Sequence, residues 1–235
     1  METELKPLCV ICMREGSKGV VGKNSVIIKN KPLFQHTIEQ AIKSKIFENI
    51  VISTDSKKMA KKVETLGLDV WFERPKNLAL DSSPKLPVII HALKQSEKYF
   101  KKKFPVIFDL DVTSPLREVS DIKKAFEQFK KSKATNLISI CKARKNPYFN
   151  MLELKGNKFS IVKKTSKKIY RRQDAPKVFE MNASIYIWKR EYLVSKKPLI
   201  SKFTTYYEMP EDRSIDIDST KDLKYVSFLM DNKNG

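Results

Sequence analysis

Short apolar runs alternate with segments of helical periodicity from residue 8 to about residue 145. Runs such as 7–13 are apolar throughout, as in strands that are buried on both faces, whereas 32–47 repeats its apolar residues at helical spacing. We predict strands at 7–13, 49–54, 68–73, 104–111 and 135–143, and helices at 32–47, 56–67, 86–100 and 118–132, the last of them with Ser120 as a candidate N-cap.

This alternation predicts the class of fold. Consecutive βα units give parallel strands with helices on both faces of the sheet, joined by right-handed crossovers. We therefore predict a three-layer α/β/α sandwich with a mainly parallel, Rossmann-like sheet. The chain of 235 residues is expected to form a single domain, 1–235.

The alternation stops between residues 147 and 181. The segment 150–164 is typical of a β-hairpin that turns at Gly156-Asn157, so we interpret 147–181 as an arm that serves as a lid or for dimerisation. A buried strand is predicted again at 183–193, and the segment 212–230 should form a short strand followed by a closing helix.

The composition indicates a soluble globular protein, with 41 % hydrophobic and 31 % charged residues and no apolar run as long as a membrane span. The first eight residues do not resemble a signal peptide, and Cys9, Cys12 and Cys141 are expected to be reduced thiols in the cytoplasm. The net charge of +20 is concentrated in residues 123–172, which contain sixteen Lys and Arg residues and only two acidic residues. A solvated basic face explains this charge more simply than nucleic-acid binding does.

The loop after the first predicted strand contains three of the six glycines of the chain, Gly16, Gly19 and Gly22, between Arg14 and Lys23. Ligands of such sheets bind at the carboxyl ends of the strands, and glycines allow backbone N–H groups to face an anion. The loop matches neither the P-loop nor the dinucleotide pattern. It predicts a triphosphate site, with a glycine-rich turn and incidental cations as the alternative.

Five segments resemble the CMP-sialic acid synthetase family, which includes the CMP-legionaminic and CMP-pseudaminic acid synthetases. They are MREGSKGVVGKN, STDS, ERPKNLALDSS, TSPLR and RSIDIDSTKDL, in the family's order and over nearly the whole chain. The resemblance implies a fold of the nucleotide-diphospho-sugar transferase type. It also implies a cytidylyltransferase that joins CTP to a 2-keto sugar acid, releases pyrophosphate and forms a homodimer.

The resemblance assigns roles to individual residues. Arg14 and Lys23, with Asp216 and Asp218, would be catalytic. The residues expected to bind CTP are Arg14, Gly16, Ser17, Gly19, Lys23, Asn24, Arg74 and Asp111.

Mg²⁺ or Mn²⁺ would be held by Asp111, Asp216 and Asp218. Asp216 and Asp218 alternate with isoleucines, so an extended segment places both carboxylates on one face; two solvated aspartates of an edge strand are the alternative. Asp111 occupies the place of a metal ligand in CMP-Kdo synthetase, whereas Asp109 lies deeper in the strand and is interpreted as structural.

The sugar is a carboxylate, and a bidentate cation suits that group, so Arg171 and Arg172 are the candidates, with Asn182 beside them. Lys85 and Pro87 stand where family members have small residues, which favours a bacterial di-amino sugar such as legionaminic acid over N-acetylneuraminate. The arm would reach the neighbour's sugar site in the homodimer.

Three other functions fit parts of the sequence. A CMP-Kdo synthetase-like cytidylyltransferase would share the nucleotide site. A metal-dependent glycosyltransferase is suggested by the acidic pair Asp109 and Asp111. A basic nucleic-acid-binding protein would explain the charge but leaves the aspartates without a role, so we expect neither nucleic acid nor a membrane as a partner.

Overall fold

The computed structural model describes residues 6–16, 19–166 and 168–232. The strands are β1 (Leu8–Cys12), β2 (Ile27–Ile28), β3 (Lys31–Pro32), β4 (Asn49–Ser53), β5 (Val106–Leu110), β6 (Asn136–Lys142), β7 (Leu152–Lys155), β8 (Lys158–Ile161), β9 (Phe179–Lys189) and β10 (Thr204–Glu208). The α-helices are α1 (Leu33–Ser44), α2 (Lys57–Glu64), α3 (Lys85–Tyr99), α4 (Val119–Lys131), α5 (Arg190–Val194) and α6 (Thr220–Asn232).

The central sheet has the strand order β10-β6-β9-β5-β1-β4. β1 pairs in parallel with β4 and β5, and β10 pairs in parallel with β6. Only β9 runs antiparallel to both of its neighbours in this sheet, because the chain enters it from the arm rather than from a crossover helix. The prediction of a mainly parallel sheet is therefore confirmed.

Helices cover both faces of the sheet, as the sandwich requires. Along β1, Cys9 and Ile11 face one hydrophobic cluster, and Leu8 and Val10 face the other. The first cluster contains buried side chains of α1, α2, α4 and α6, and the second contains those of α3 and α5. Alternate side chains of a strand point to opposite faces, so a run that is buried throughout needs a layer on each side.

The predicted third strand, 68–73, does not form. This segment is irregular, and its aromatic side chains pack on α3. The Trp71 ring stacks on the Tyr99 ring with a centroid distance of 4.5 Å, and the Phe72 and His91 rings pack edge to face. Apolar residues of a short segment are buried equally well by a helix as by a neighbouring strand, so their pattern does not distinguish the two.

Two further predictions need correction. Residues 214–218 are not a strand; the edge strand beside β6 is β10, which lies earlier in the chain. The N-cap of α4 is Glu118 rather than Ser120, because Glu118 and Asp121 form a reciprocal capping box.

The arm contains the predicted hairpin. β7 and β8 pair with Lys155 opposite Lys158, and Gly156 in the turn has a φ of 59°, which glycine adopts without strain. The hairpin forms a sheet of its own, apart from the central one. In the ranges that the structure describes, no helix combines the length and the apolar character needed to cross a membrane.

Candidate active site

Two depressions meet at the carboxyl ends of the central strands. The first, called the β1–β5 cleft below, is lined by Cys12, Met13, Arg14, Lys23, Asn24, Arg74, Leu78, Leu80, Asp81, Ser83, Lys85, Val88, Asp111 and Thr113. The second, called the β6–β9 cavity, is lined by Cys141, Lys142, Arg144, Arg172, Glu180, Met181, Asn182, Ala183, Glu211, Asp212, Ser214, Ile215, Asp216, Asp218 and Tyr225. This is the edge where ligands of open α/β sheets bind.

The loop after β1 is fixed by its own Asn24 and by residues of two other segments that resemble the family. The Asn24 side-chain amide donates to the Arg14 carbonyl at 2.8 Å, and the Arg14 guanidinium contacts an Asp81 carboxylate oxygen at 2.5 Å. The Glu15 N–H donates to Asp55 at 3.1 Å. Arg14 is therefore held at the mouth of the cleft with part of its side chain exposed, as an anion-binding group requires.

Lys23 joins this loop to the C-terminal part of the chain. Its ammonium donates to the Ile217 carbonyl at 2.6 Å and to the Asp218 carboxylate at 3.1 Å. Gly19 lies against the same segment, since a Cβ added there would stand 2.2 Å from the Asp218 carbonyl oxygen. A Cβ at Gly16 would meet nothing within 4 Å. Ser17, predicted to bind CTP, lies outside the described residues.

Arg74 lines the β1–β5 cleft but is only 4 % exposed. Its guanidinium donates to the Ser53 hydroxyl at 3.0 Å and to the Ser53 carbonyl at 2.5 Å, at the end of β4. Burial lowers the pKa of this guanidinium. Arg74 thus supplies positive charge from the wall of the cleft while it also fixes the end of a strand.

Asp111, at the end of β5, has both carboxylate oxygens engaged. One accepts from the Thr113 N–H at 3.0 Å and the Thr113 hydroxyl at 2.8 Å, and the other lies 2.5 Å from the Lys85 ammonium. Burial alone would raise the pKa of Asp111, but Lys85 and Thr113 outweigh it and hold the pKa at about 2. The contacts do not support the prediction that Asp111 is a free metal ligand.

Asp216 and Asp218 both line the β6–β9 cavity, although their segment is not a strand. Between them Ile217 is fully buried, and its N–H donates to the Thr113 carbonyl at 3.0 Å, which places the pair beside Asp111. One oxygen of Asp216 is buried without a hydrogen-bond partner, and burial raises the pKa of this group although a hydrogen bond with the Thr113 side chain opposes the rise. The Asp218 side chain is 79 % exposed. The expected alternation therefore does deliver both carboxylates to one site.

A magnesium site needs only one or two carboxylates when substrate phosphates and water complete the shell. In the described ranges no cluster of three or more His, Cys, Asp or Glu has the arrangement of a metal site. The unpartnered buried oxygen of Asp216 and the accessible carboxylate of Asp218 fit such a partial shell. These two residues fit a divalent cation better than Asp111 does.

The residues predicted to bind the sugar differ in position. Arg172 lines the β6–β9 cavity and donates to the Ala143 carbonyl at 3.0 Å. Arg171 does not line it; its guanidinium forms two hydrogen bonds with Asp174, at 2.9 and 3.0 Å. The structure therefore brings only Arg172 of this pair to the cavity wall.

Asn182 also lines the cavity, yet its amide is bound by protein groups at both ends. Its oxygen accepts from the Ser139 hydroxyl at 2.6 Å, and its nitrogen donates to the Ser214 hydroxyl at 2.9 Å. Ser214 leads directly into Asp216. Asn182 thus fixes the segment that carries the two aspartates, and its contact with a sugar stays a prediction.

Sequence reasoning missed three residues of the site. Lys142, the last residue of β6, and Arg144 line the β6–β9 cavity at the carboxyl end of that strand, a position that the predicted strand 135–143 could have indicated. Arg117, the last residue of TSPLR, is 1 % exposed and donates to the Asp111 and Ser184 carbonyls at 3.2 and 2.6 Å. It joins the end of β5 to the middle of β9, and burial lowers its pKa to about 10.

Comparison with known proteins agrees with this geometry. Residues 8–234 match the protein family described as Cytidylyltransferase. The chain belongs to the cytidylyltransferase family. This membership identifies it as a nucleotidyltransferase enzyme and confirms the class of protein inferred from the five segments.

Two relatives resemble this cytidylyltransferase over almost their full length. It is 45 % identical to post-translational flagellin modification protein B of Campylobacter coli and 46 % identical to the CMP-N,N'-diacetyllegionaminic acid synthase of Campylobacter jejuni subsp. jejuni. Both alignments span 227 residues and cover 97 % of this chain and 96 % of the relative.

The fold is also known from solved structures. A CMP:2-keto-3-deoxy-manno-octonic acid synthetase in complex with CTP superposes with a TM-score of 0.69 at 17 % identity, covering 97 % of this chain and 99 % of the other. At that identity the likeness shows the fold alone, and it confirms the predicted α/β/α architecture.

Proposed function

We propose that this enzyme transfers the cytidylyl group of CTP to an acidic nine-carbon 2-keto sugar of the legionaminic type and releases pyrophosphate. The observation that carries the proposal is the junction of the two depressions. The Lys23 ammonium, which lines the β1–β5 cleft, contacts Asp218, which lines the β6–β9 cavity, at 3.1 Å. A nucleotide in the first would end where an acceptor in the second begins.

The β1–β5 cleft suits a nucleoside triphosphate. Arg14 and Lys23 face it from the opening loop, and Arg74 adds charge from the wall. In the proposed reaction the anomeric oxygen of the sugar attacks the α-phosphorus in line, and the bond from that phosphorus to the bridging oxygen of the β-phosphate breaks. Positive groups that are already in place stabilise the charge on the phosphoryl oxygens and on the leaving pyrophosphate.

The proton of the attacking hydroxyl must pass to an acceptor. Asp216 is our candidate, because one of its oxygens is buried without a partner next to the junction. We further propose Mg²⁺ or Mn²⁺ as the cofactor, held by Asp216 and Asp218 together with phosphate oxygens. When bound, such an ion neutralises phosphate charge.

The β6–β9 cavity suits the acidic sugar. Five acidic residues line it too, but Lys142, Arg144 and Arg172 are the cations in its wall at which a carboxylate would bind. The choice of a legionaminic-type acid is supported by the name of the Campylobacter jejuni relative at 46 % identity. The product would serve synthesis of a surface glycan.

We also propose a cytoplasmic homodimer. Cys9, Cys12 and Cys141 are free thiols, which fits a reducing compartment. The hairpin of the arm exposes Leu152, Leu154 and Phe159, each more than half accessible in the single chain, and a second subunit would cover such apolar side chains. The proposal includes no nucleic acid and no membrane as partners.

The decisive experiment incubates the purified enzyme with CTP, Mg²⁺ and each member of a panel of acidic sugars, and measures pyrophosphate release. We expect the fastest turnover with N,N'-diacetyllegionaminic acid, and slower turnover with N-acetylneuraminate and with the eight-carbon acid Kdo. UTP and ATP in place of CTP are the nucleotide controls. No release with any nine-carbon acid would refute the proposal, and a preference for Kdo would favour the CMP-Kdo synthetase alternative.

Arg14→Ala should raise the KM for CTP by at least about tenfold, since a charge-assisted contact to phosphate is lost. The fold should persist, because the guanidinium is partly exposed and its contact with Asp81 is at the surface. Initial rates of pyrophosphate release at varied CTP measure the effect. Lys94→Ala, which removes an exposed charge from α3, is the matched control, and an equal KM in both variants would contradict the assignment.

Arg172→Ala should raise the KM for the sugar by at least about tenfold and change the KM for CTP much less. The side chain lines the β6–β9 cavity and not the β1–β5 cleft. Arg171→Ala is the comparison variant, because its guanidinium is paired with Asp174 away from the cavity. A larger effect on the sugar KM from Arg171→Ala would show that the arm reaches the substrate by another arrangement.

A further inference from the structure

Lys85 contacts two carboxylates of the site at once. It is the first residue of α3, and its ammonium lies 2.6 Å from an Asp109 oxygen and 2.5 Å from an Asp111 oxygen. Asp109 lies in β5 and Asp111 directly follows that strand, so both carboxylates reach the same side and would repel each other without a cation between them. The lysine thus stands where two strand-end carboxylates could otherwise bind a metal ion.

Burial explains why a cation is needed there. The Asp109 side chain is fully buried, and neither of its oxygens makes a hydrogen bond of regular geometry in the described structure. Its close electrostatic partner is the Lys85 ammonium. Asp111, in turn, has Lys85 on one oxygen and two donors of Thr113 on the other. The pair of carboxylates is therefore already compensated by groups of the protein.

We propose that the Lys85 ammonium is a built-in cation that takes the place of a divalent metal ion between Asp109 and Asp111. A metal ion used by this enzyme then binds only on the side of Asp216 and Asp218. This second statement rests on the proposed function. The first concerns the protein without substrates and can be tested alone.

The position of Lys85 gives the built-in cation a use beyond stability. Its side chain lines the β1–β5 cleft with Arg14, Lys23 and Arg74, and about a third of it is exposed. A cation on a covalent stem remains in the cleft at any metal concentration. Asp111 then acts as a positioning residue for Lys85 rather than as a metal ligand.

The test measures Mn²⁺ binding to the substrate-free protein by the electron paramagnetic resonance signal of the free ion. Four chains are compared: the wild type, Asp111→Asn, Lys85→Ala and Lys85→Ala/Asp111→Asn. We expect the wild type and Asp111→Asn to bind Mn²⁺ equally. Lys85→Ala should bind one more Mn²⁺ per chain than the wild type, with a Kd at least about tenfold lower than the wild type shows. The double variant should not bind this additional ion.

Two results would overturn the proposal: a loss of bound Mn²⁺ in Asp111→Asn relative to the wild type, or no gain in a Lys85→Ala chain that circular dichroism shows to be folded. If Lys85→Ala does not fold because Asp109 is left unpaired, the comparison of the wild type with Asp111→Asn decides alone. The titration contains no substrate, so its result is independent of the assay for pyrophosphate release. A negative titration refutes the role of Lys85 alone, and a negative assay refutes the proposed function alone.

Discussion

Asp216→Asn should lower kcat for pyrophosphate release by about 10³-fold while the protein remains folded. Asparagine keeps the shape of the side chain but removes the negative charge that a proton acceptor or a metal ligand needs. One oxygen of Asp216 is buried without a partner beside the junction of the two depressions, and asparagine can keep the contact of the other oxygen with Thr113. A large loss of rate without a loss of stability therefore indicates a chemical role.

Asp212→Asn is the matched control, because Asp212 is an exposed aspartate that lines the same cavity. We expect its kcat to stay within about twofold of the wild type, as for an ordinary surface substitution. Thermal unfolding followed by circular dichroism shows whether both variants are folded. Near-normal turnover of Asp216→Asn would remove Asp216 from the catalytic residues and would leave Asp218 as the candidate acceptor.

Gly19→Ala should lower kcat/KM by about 10²-fold. An added Cβ would stand 2.2 Å from the Asp218 carbonyl oxygen, far inside van der Waals contact, and a backbone atom cannot turn aside as a long side chain can. The loop and the aspartate segment must then separate. Lys23 bonds the same segment through the Ile217 carbonyl and the Asp218 carboxylate, so its ammonium would move relative to both depressions.

Gly16→Ala is the control for this prediction, since it adds the same methyl group to the same loop where nothing lies within 4 Å. It should retain kcat/KM within a few-fold, as a substitution free of steric conflict does. Pyrophosphate release at limiting CTP measures both variants. Equal losses in the two would mean that the loop tolerates no side chain anywhere, and that its contact with Asp218 is not what matters.

The regular elements followed from local sequence because their signals are local. β1, β4, β5 and β6 lie within the predicted apolar runs, and a strand buried on both faces has few other ways to satisfy such a run. Helical periodicity likewise located α1 to α4. The segment 68–73 failed because its aromatic residues found their cover on α3, which is a contact between parts of the chain that spacing does not encode.

Some residues of the site could likewise be predicted from the sequence, and others could not. Arg14 and Lys23 were recognisable because a glycine-rich loop after a strand is itself a phosphate-binding pattern, and Asn24 followed from the family resemblance. Asp216 and Asp218 were assigned by the family resemblance, and their alternation placed both carboxylates on one face, although their segment does not pair as a strand. Arg171 and Arg172 are neighbours in the chain, so the sequence does not show which of them reaches the cavity. In the structure Arg171 pairs with Asp174, whereas Arg172 lines the cavity.

The sequence by itself thus determined the layers of the fold and the family, because each strand, helix and motif signal is carried by residues close together in the chain. Only the tertiary structure decided what neutralises Asp111. Lys85 lies 26 residues before it on another element, and their ammonium and carboxylate meet only because α3 packs against the sheet. Electrostatic interaction depends on distance in space, which sequence spacing does not report.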